Sequence, residues 1–98
     1  LMNTLLPLAA RACALLKARG ETVAVAESSI GGLVSAALLA VPGASAYFVG
    51  GSVVYTRAAR TALLGVPAEA LKAAAPASEE MARLLAEGAR ARLGTTWG

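Results

Sequence analysis

The chain has 98 residues, 57% of them hydrophobic and 15% charged, with a mean hydropathy of +0.64 and a net charge of +3. That length makes one small domain, taken here as residues 1–98, or part of a larger one, and the apolar share exceeds what a small domain seals by itself, so an interface or a covering element is expected. With no His, no Asp and a lone Cys13, the chain offers no set of metal ligands and no internal disulfide; its scattered arginines form no basic run, so no metal, no cofactor and no nucleic-acid partner is expected, and a reducing cytoplasm suits it.

Residues 4–18 are apolar and Ala-rich and read as a helix closed by Arg19-Gly20. Residues 22–26, Thr-Val-Ala-Val-Ala, are short and continuously apolar, as in a parallel strand covered on both faces. Glu27 to Gly32 then turns into a helix over 33–40, with Ser28 or Ser29 as its expected N-cap. Pro42-Gly43 ends that helix. A second strand is predicted over 47–55, where Gly50-Gly51 predicts a bulge or the close approach of another group. No residue from Ser28 to Thr56 is charged, a length that could span a bilayer, but Pro42-Gly43 splits it into a helix and a strand. The N-terminus lacks the basic start and cleavage site of a secretory signal, so no membrane association is expected.

A short helix over 57–64 ends at Gly65, and Pro67 opens a further helical turn before Pro76. Ser78 caps a last helix with Glu79 and Glu80 in its first turn, and this helix stops at Gly94. Thr95 to Gly98 reads as the beginning of another strand. Two strands are too few for a stable open sheet.

Two segments carry candidate chemistry. In Ala26-Glu27-Ser28-Ser29-Ile30-Gly31-Gly32 a strand gives way to a glycine-rich helix start, where backbone N–H groups favour an anion and Ser28 is a possible nucleophile. The same pattern also fits a plain helix cap. Glu27 reads equally as a holder of a substrate hydroxyl and as a solvated carboxylate complementing the helix dipole. In Gly50 to Arg60, Tyr55 ends the strand, and Arg57 and Arg60, three apart, are placed to share a phosphate or simply to face solvent.

Together these segments resemble the CinA C-terminal domain family. Residues 26–32 are similar to its A-E-S-C-T-G-G motif, Val41 to Ser45 to v-P-G-A-S, and residues 47–51 to f-x-G-G. Residues 54–60 are similar to v-x-Y-S-N-E-A-K, residues 63–66 to L-L-G-V, and residues 78–82 to v-S-E-E-v-A. The resemblance implies a layered α/β/α fold, represented here by about two strands and four helices without the family's C-terminal part. It implies a nicotinamide-nucleotide amidohydrolase, which turns nicotinamide mononucleotide and water into nicotinate mononucleotide and ammonia without a metal. Ser28 stands at the nucleophile's position and Tyr55 at that of an assisting tyrosine; Arg60 stands where the family has a lysine. Glu27, Ser29, Gly31, Gly32, Gly50, Gly51 and Arg57 fall at its substrate-binding positions. Ser29 replaces the motif's cysteine and Ile30 its threonine. The alternative is a non-catalytic relative that serves as a ligand-binding or dimerisation module. A homodimer is expected in either case, because the open sheet and apolar helix faces need cover.

Overall fold

The computed structural model describes residues 1–98. Helix α1 (Met2–Arg19) begins earlier than the sequence pattern suggests and carries Pro7 within it. It ends at Gly20, which takes the left-handed conformation (φ 62°) that a side chain would disfavour. Strand β1 (Val23–Glu27) and strand β2 (Phe48–Val53) are joined through helix α2 (Leu33–Leu39) and a single 3-10 turn (Ala44–Ala46). Three helices follow: α3 (Arg57–Leu64), α4 (Ala68–Ala73) and α5 (Glu79–Leu93). The turn after Pro67 is therefore a helix in its own right, and the helices number one more than the sequence reading counted. None of them is long and apolar enough to cross a membrane.

The strands are parallel, with Val23 opposite Phe48 and Ala24 opposite Gly50, so Val49 is the extra residue of a bulge. On the other side of β1, Trp97 forms a parallel bridge with Val23: its N–H donates to the Thr22 carbonyl at 2.9 Å, and its carbonyl accepts from Ala24 at 3.0 Å. β1 is thus central, and the chain's last residues start a pairing on its second edge.

Helices cover both sheet faces. Ala24 packs with Leu64, Val66, Leu71, Met81, Leu85 and Ala89 in the core formed beneath α3, α4 and α5. The opposite face meets α2, with α1 outside it. Neighbouring Gly50 and Gly51 show why small residues are needed between these layers. A Cβ on Gly50 would lie 3.0 Å from Leu93 Cδ1 of α5, and one on Gly51 2.7 Å from Ser35 Oγ of α2. Each glycine lets a helix lie close on its own side of the strand. Tyr47 is fully buried and its hydroxyl donates to the Leu38 carbonyl at 2.7 Å; burial and the adjacent Cys13 push that hydroxyl up to about 12. Cys13 is likewise buried, as a small core side chain.

Only 15 of 98 residues are buried, and Leu8, Leu15, Leu39, Leu63 and Trp97 stand half or more exposed. The apolar surplus seen in the composition therefore lies on the surface.

Candidate active site

The site begins with how β1 ends. Glu27 is its last residue and is buried, 3% exposed. The chain then passes through Gly31 (φ 70°) and Gly32 (φ 104°), two consecutive left-handed positions open to glycine and strained for other residues. This turn brings the first amides of α2 back over the strand end. Glu27 Oε1 accepts the Val34 N–H at 2.9 Å; Oε2 accepts the Ser35 N–H at 2.9 Å and the Ser35 hydroxyl at 2.6 Å.

Neither Ser28 nor Ser29 is the N-cap that the sequence pattern suggested. The N-cap is Gly32, which has no side-chain oxygen, and the buried carboxylate takes over that work from the strand. Burial alone would push the Glu27 carboxyl up, but the Ser35 hydroxyl and the Ser35 and Val34 amides outweigh it and hold the group below the usual carboxylate value. The consequence for chemistry is that the Ser28 hydroxyl is free of capping duty.

The second half of the site comes from the end of β2. Val54 is fully buried and its N–H donates to the Glu27 carbonyl at 2.7 Å, which ties the two strand ends together. Thr56 caps α3 by accepting from Ala59 N–H at 3.1 Å. From the first turn of α3, Arg60 reaches back. Its Nε donates to the Val54 carbonyl at 2.9 Å, and its Nη2 donates to Ser28 Oγ at 3.1 Å, across 32 residues of sequence.

Ser28 and Arg60 therefore meet, in a cleft of about 460 Å³ at the carboxyl end of β1. That is a usual volume for a small-molecule site, and the carboxyl ends of parallel strands are the usual location. Ser28, Ser29 and Ile30 form one wall, and Ala77, Met81, Ala82 and Leu85, from α5 and the residues before it, form the facing one. Ala77 itself holds a left-handed φ of 52°, the only non-glycine residue to do so.

The other candidate residues lie elsewhere. Tyr55 is 69% exposed and outside the cleft, because its buried neighbour Val54 takes the inward direction and adjacent side chains of an extended segment alternate. Arg57, exposed at the start of α3, makes no ion pair and lines no part of the cleft. Gly50 and Gly51 face α5 and α2 and line no part of the cleft. Gly31 and Gly32 shape the loop rather than its wall. Glu27 lies at the cleft with both oxygens already engaged. Sequence reasoning missed the α5 wall: Met81, Leu85 and Ala89 recur at helical spacing, which marks a buried face but not which ligand space it borders.

The CinA C-terminal domain family model matches residues 5–98. Among curated relatives, a CinA-like protein of Parasynechococcus marenigrum (strain WH8102) is 50% identical over 90 residues, covering 92% of this chain and 22% of the relative. A CinA-like protein of Anaeromyxobacter sp. (strain K) is 55% identical over 83 residues, covering 85% of this chain and 20% of the relative. Among solved structures, the competence/damage inducible protein CihA from Agrobacterium tumefaciens matches with a TM-score of 0.83 at 35% identity, covering 93% of this chain and 55% of that one. A competence-damaged protein (CinA) superfamily protein from Escherichia coli matches with a TM-score of 0.85 at 27% identity, covering 93% and 53%. The chain thus spans a small part of the curated relatives and just over half of the solved ones.

Proposed function

This chain belongs to the CinA C-terminal domain family, and from that premise we propose that its cleft binds nicotinamide mononucleotide and hydrolyses the ring carboxamide, with Ser28 as nucleophile. The observation that carries this reading is the hydrogen bond from Arg60 Nη2 to Ser28 Oγ, 3.1 Å, inside a cleft otherwise walled mainly by apolar side chains. The family resemblance suggests the substrate, and the contact between Ser28 and Arg60 supports the roles given to them.

Ser28 Oγ attacks the carboxamide carbon, and the carbonyl oxygen takes the negative charge. The Arg60 guanidinium stands beside the attacking atom and stabilises that charge. Collapse of the tetrahedral centre breaks the C–N bond and releases ammonia, leaving an ester on Ser28. Water then cleaves the ester, giving nicotinate mononucleotide and restoring the hydroxyl. A guanidinium keeps its proton, so Arg60 is not the base. The Glu27 oxygens already accept from α2. The serine proton therefore passes to solvent water and on to the departing ammonia, a slower route than transfer to a resident base. Incubation with nicotinamide mononucleotide is expected to yield ammonia and nicotinate mononucleotide in equal amounts, read by enzymatic ammonia determination and chromatography. No product above the buffer control would refute the hydrolytic reading.

One observation favours a second reading, a non-catalytic ligand-binding or dimerisation module: no uncommitted base lies beside Ser28. Dimer formation goes with either reading, and its support is the exposed apolar set that includes Leu8, Leu15, Leu39 and Trp97. Sedimentation equilibrium at micromolar concentration is expected to give twice the chain mass of 9.8 kDa. A monomer mass would overturn the dimer.

A further inference from the structure

We infer that Ser28 and Arg60 form a carboxylate-recognition site, so that the cleft holds a pyridine ligand in its acid form more tightly than in its amide form. This rests on the preceding reading only for the identity of the ring that bears the carboxylate.

Arg60 is half-buried and is the only cationic residue lining the cleft. It takes part in none of the chain's ion pairs, which join Arg19 to Glu21, Arg83 to Glu79 and Arg90 to Glu87. The one carboxylate at the cleft, Glu27, has its oxygens turned to Val34 and Ser35. A half-buried cation without a counter-ion favours an incoming anion.

Hydrogen-bond direction sharpens the choice. Arg60 spends Nε on the Val54 carbonyl, which fixes the plane of the guanidinium, and one Nη2 proton on Ser28 Oγ. Nη1 has no partner within the chain, and Nη2 keeps its second proton. Because Ser28 Oγ accepts from Arg60, its own proton is left to donate. The pair thus presents mainly donors. A carboxylate matches that set with two acceptor oxygens and a full charge; a carboxamide offers one acceptor oxygen and no charge, and its NH₂ finds on these two side chains only the second lone pair of Ser28 Oγ, which already accepts from Arg60. The planar guanidinium also suits a planar carboxylate. If the cleft does hydrolyse the amide, its product is then its tighter ligand and slows release.

The test is calorimetric titration of the protein with four probes: nicotinate mononucleotide, nicotinamide mononucleotide, and the two corresponding ribosides, which lack phosphate. The acid is expected to bind at least about tenfold more tightly than the amide in both pairs, and Arg60→Gln is expected to bring the ratio near one. Ser28→Ala, which leaves the Arg60–Val54 contact in place, is expected to lower the ratio about threefold or more, and serves where Arg60→Gln does not fold. Equal affinities, a preference that vanishes in the ribosides (Arg60 would then hold the phosphate), or a preference untouched in both variants would each overturn the inference. Ammonia determination on the same samples separates the two claims. Turnover with equal affinities sinks this inference and spares the hydrolase; acid preference without turnover does the reverse.

Discussion

Arg60→Lys is expected to raise the rate of nicotinamide mononucleotide hydrolysis at least about tenfold. The guanidinium beside Ser28 Oγ supplies charge and cannot take a proton, whereas a lysine amine held half-buried near the same oxygen can lose its proton and accept the serine's. General-base assistance commonly contributes about 10²–10⁴-fold, so even a poorly placed amine leaves a measurable gain. The gain should fall in kcat more than in KM, because proton transfer belongs to the chemical step. A variant that folds but loses all turnover would mean that the guanidinium fork itself, held by the Val54 carbonyl, is what the reaction requires.

Glu27→Ala is expected to lower stability by about 3 kcal/mol. The substitution leaves the Val34 amide, the Ser35 amide and the Ser35 hydroxyl without their acceptor, at a helix start whose N-cap glycine provides none. Small domains hold only about 5–15 kcal/mol in total, and a domain of this size loses roughly 4–8 °C in Tm per kcal/mol, so the midpoint should fall by roughly 12–24 °C. The same carboxylate sets an acid limb. Its value in the folded chain lies below the unfolded one, so its stabilisation is complete above the ordinary carboxylate range, about pH 4.3, and is lost as pH falls through the lower folded value. Denaturation series from pH 7 to pH 2 should show that loss in the natural chain and a weaker one in Glu27→Gln. A pH profile unchanged by Glu27→Gln would show that the cap carries no linked proton.

Local signals were legible where they act within a few residues. Glycines at the helix ends predicted left-handed closure, and Gly20, Gly65 and Gly94 adopt it at φ 62°, 69° and 66°. Ser78 was readable as a cap and accepts from Met81 N–H at 3.1 Å. The strand stub at Trp97 and the bulge near Gly50 were readable for the same reason. The layered α/β/α arrangement was implied by the family resemblance, and solved family members match the chain with TM-scores of 0.83 and 0.85.

What sequence could not show depends on distance or direction. The capping of α2 by Glu27 spans seven and eight residues and exists only because Gly31 and Gly32 fold the loop back; the serines next to the loop were the nearer and wrong choice. The pairing of Ser28 with Arg60 was expected from family positions, but not the Val54 carbonyl that fixes the guanidinium. The outward turn of Tyr55 follows from the burial of Val54, and a residue in an apolar run has two faces to choose from. The family resemblance put Gly50 and Gly51 at substrate-binding positions, whereas the space beside them is filled by Leu93 of α5 and Ser35 of α2.

The claim on which the functional account depends is that the hydroxyl held by Arg60 is the reacting atom. Ammonia release from nicotinamide mononucleotide by the natural chain and by Ser28→Ala, measured side by side with both proteins shown to be folded, tests it most directly. The account predicts turnover in the first and a loss of about 10³-fold or more in the second; equal rates in the two would contradict it.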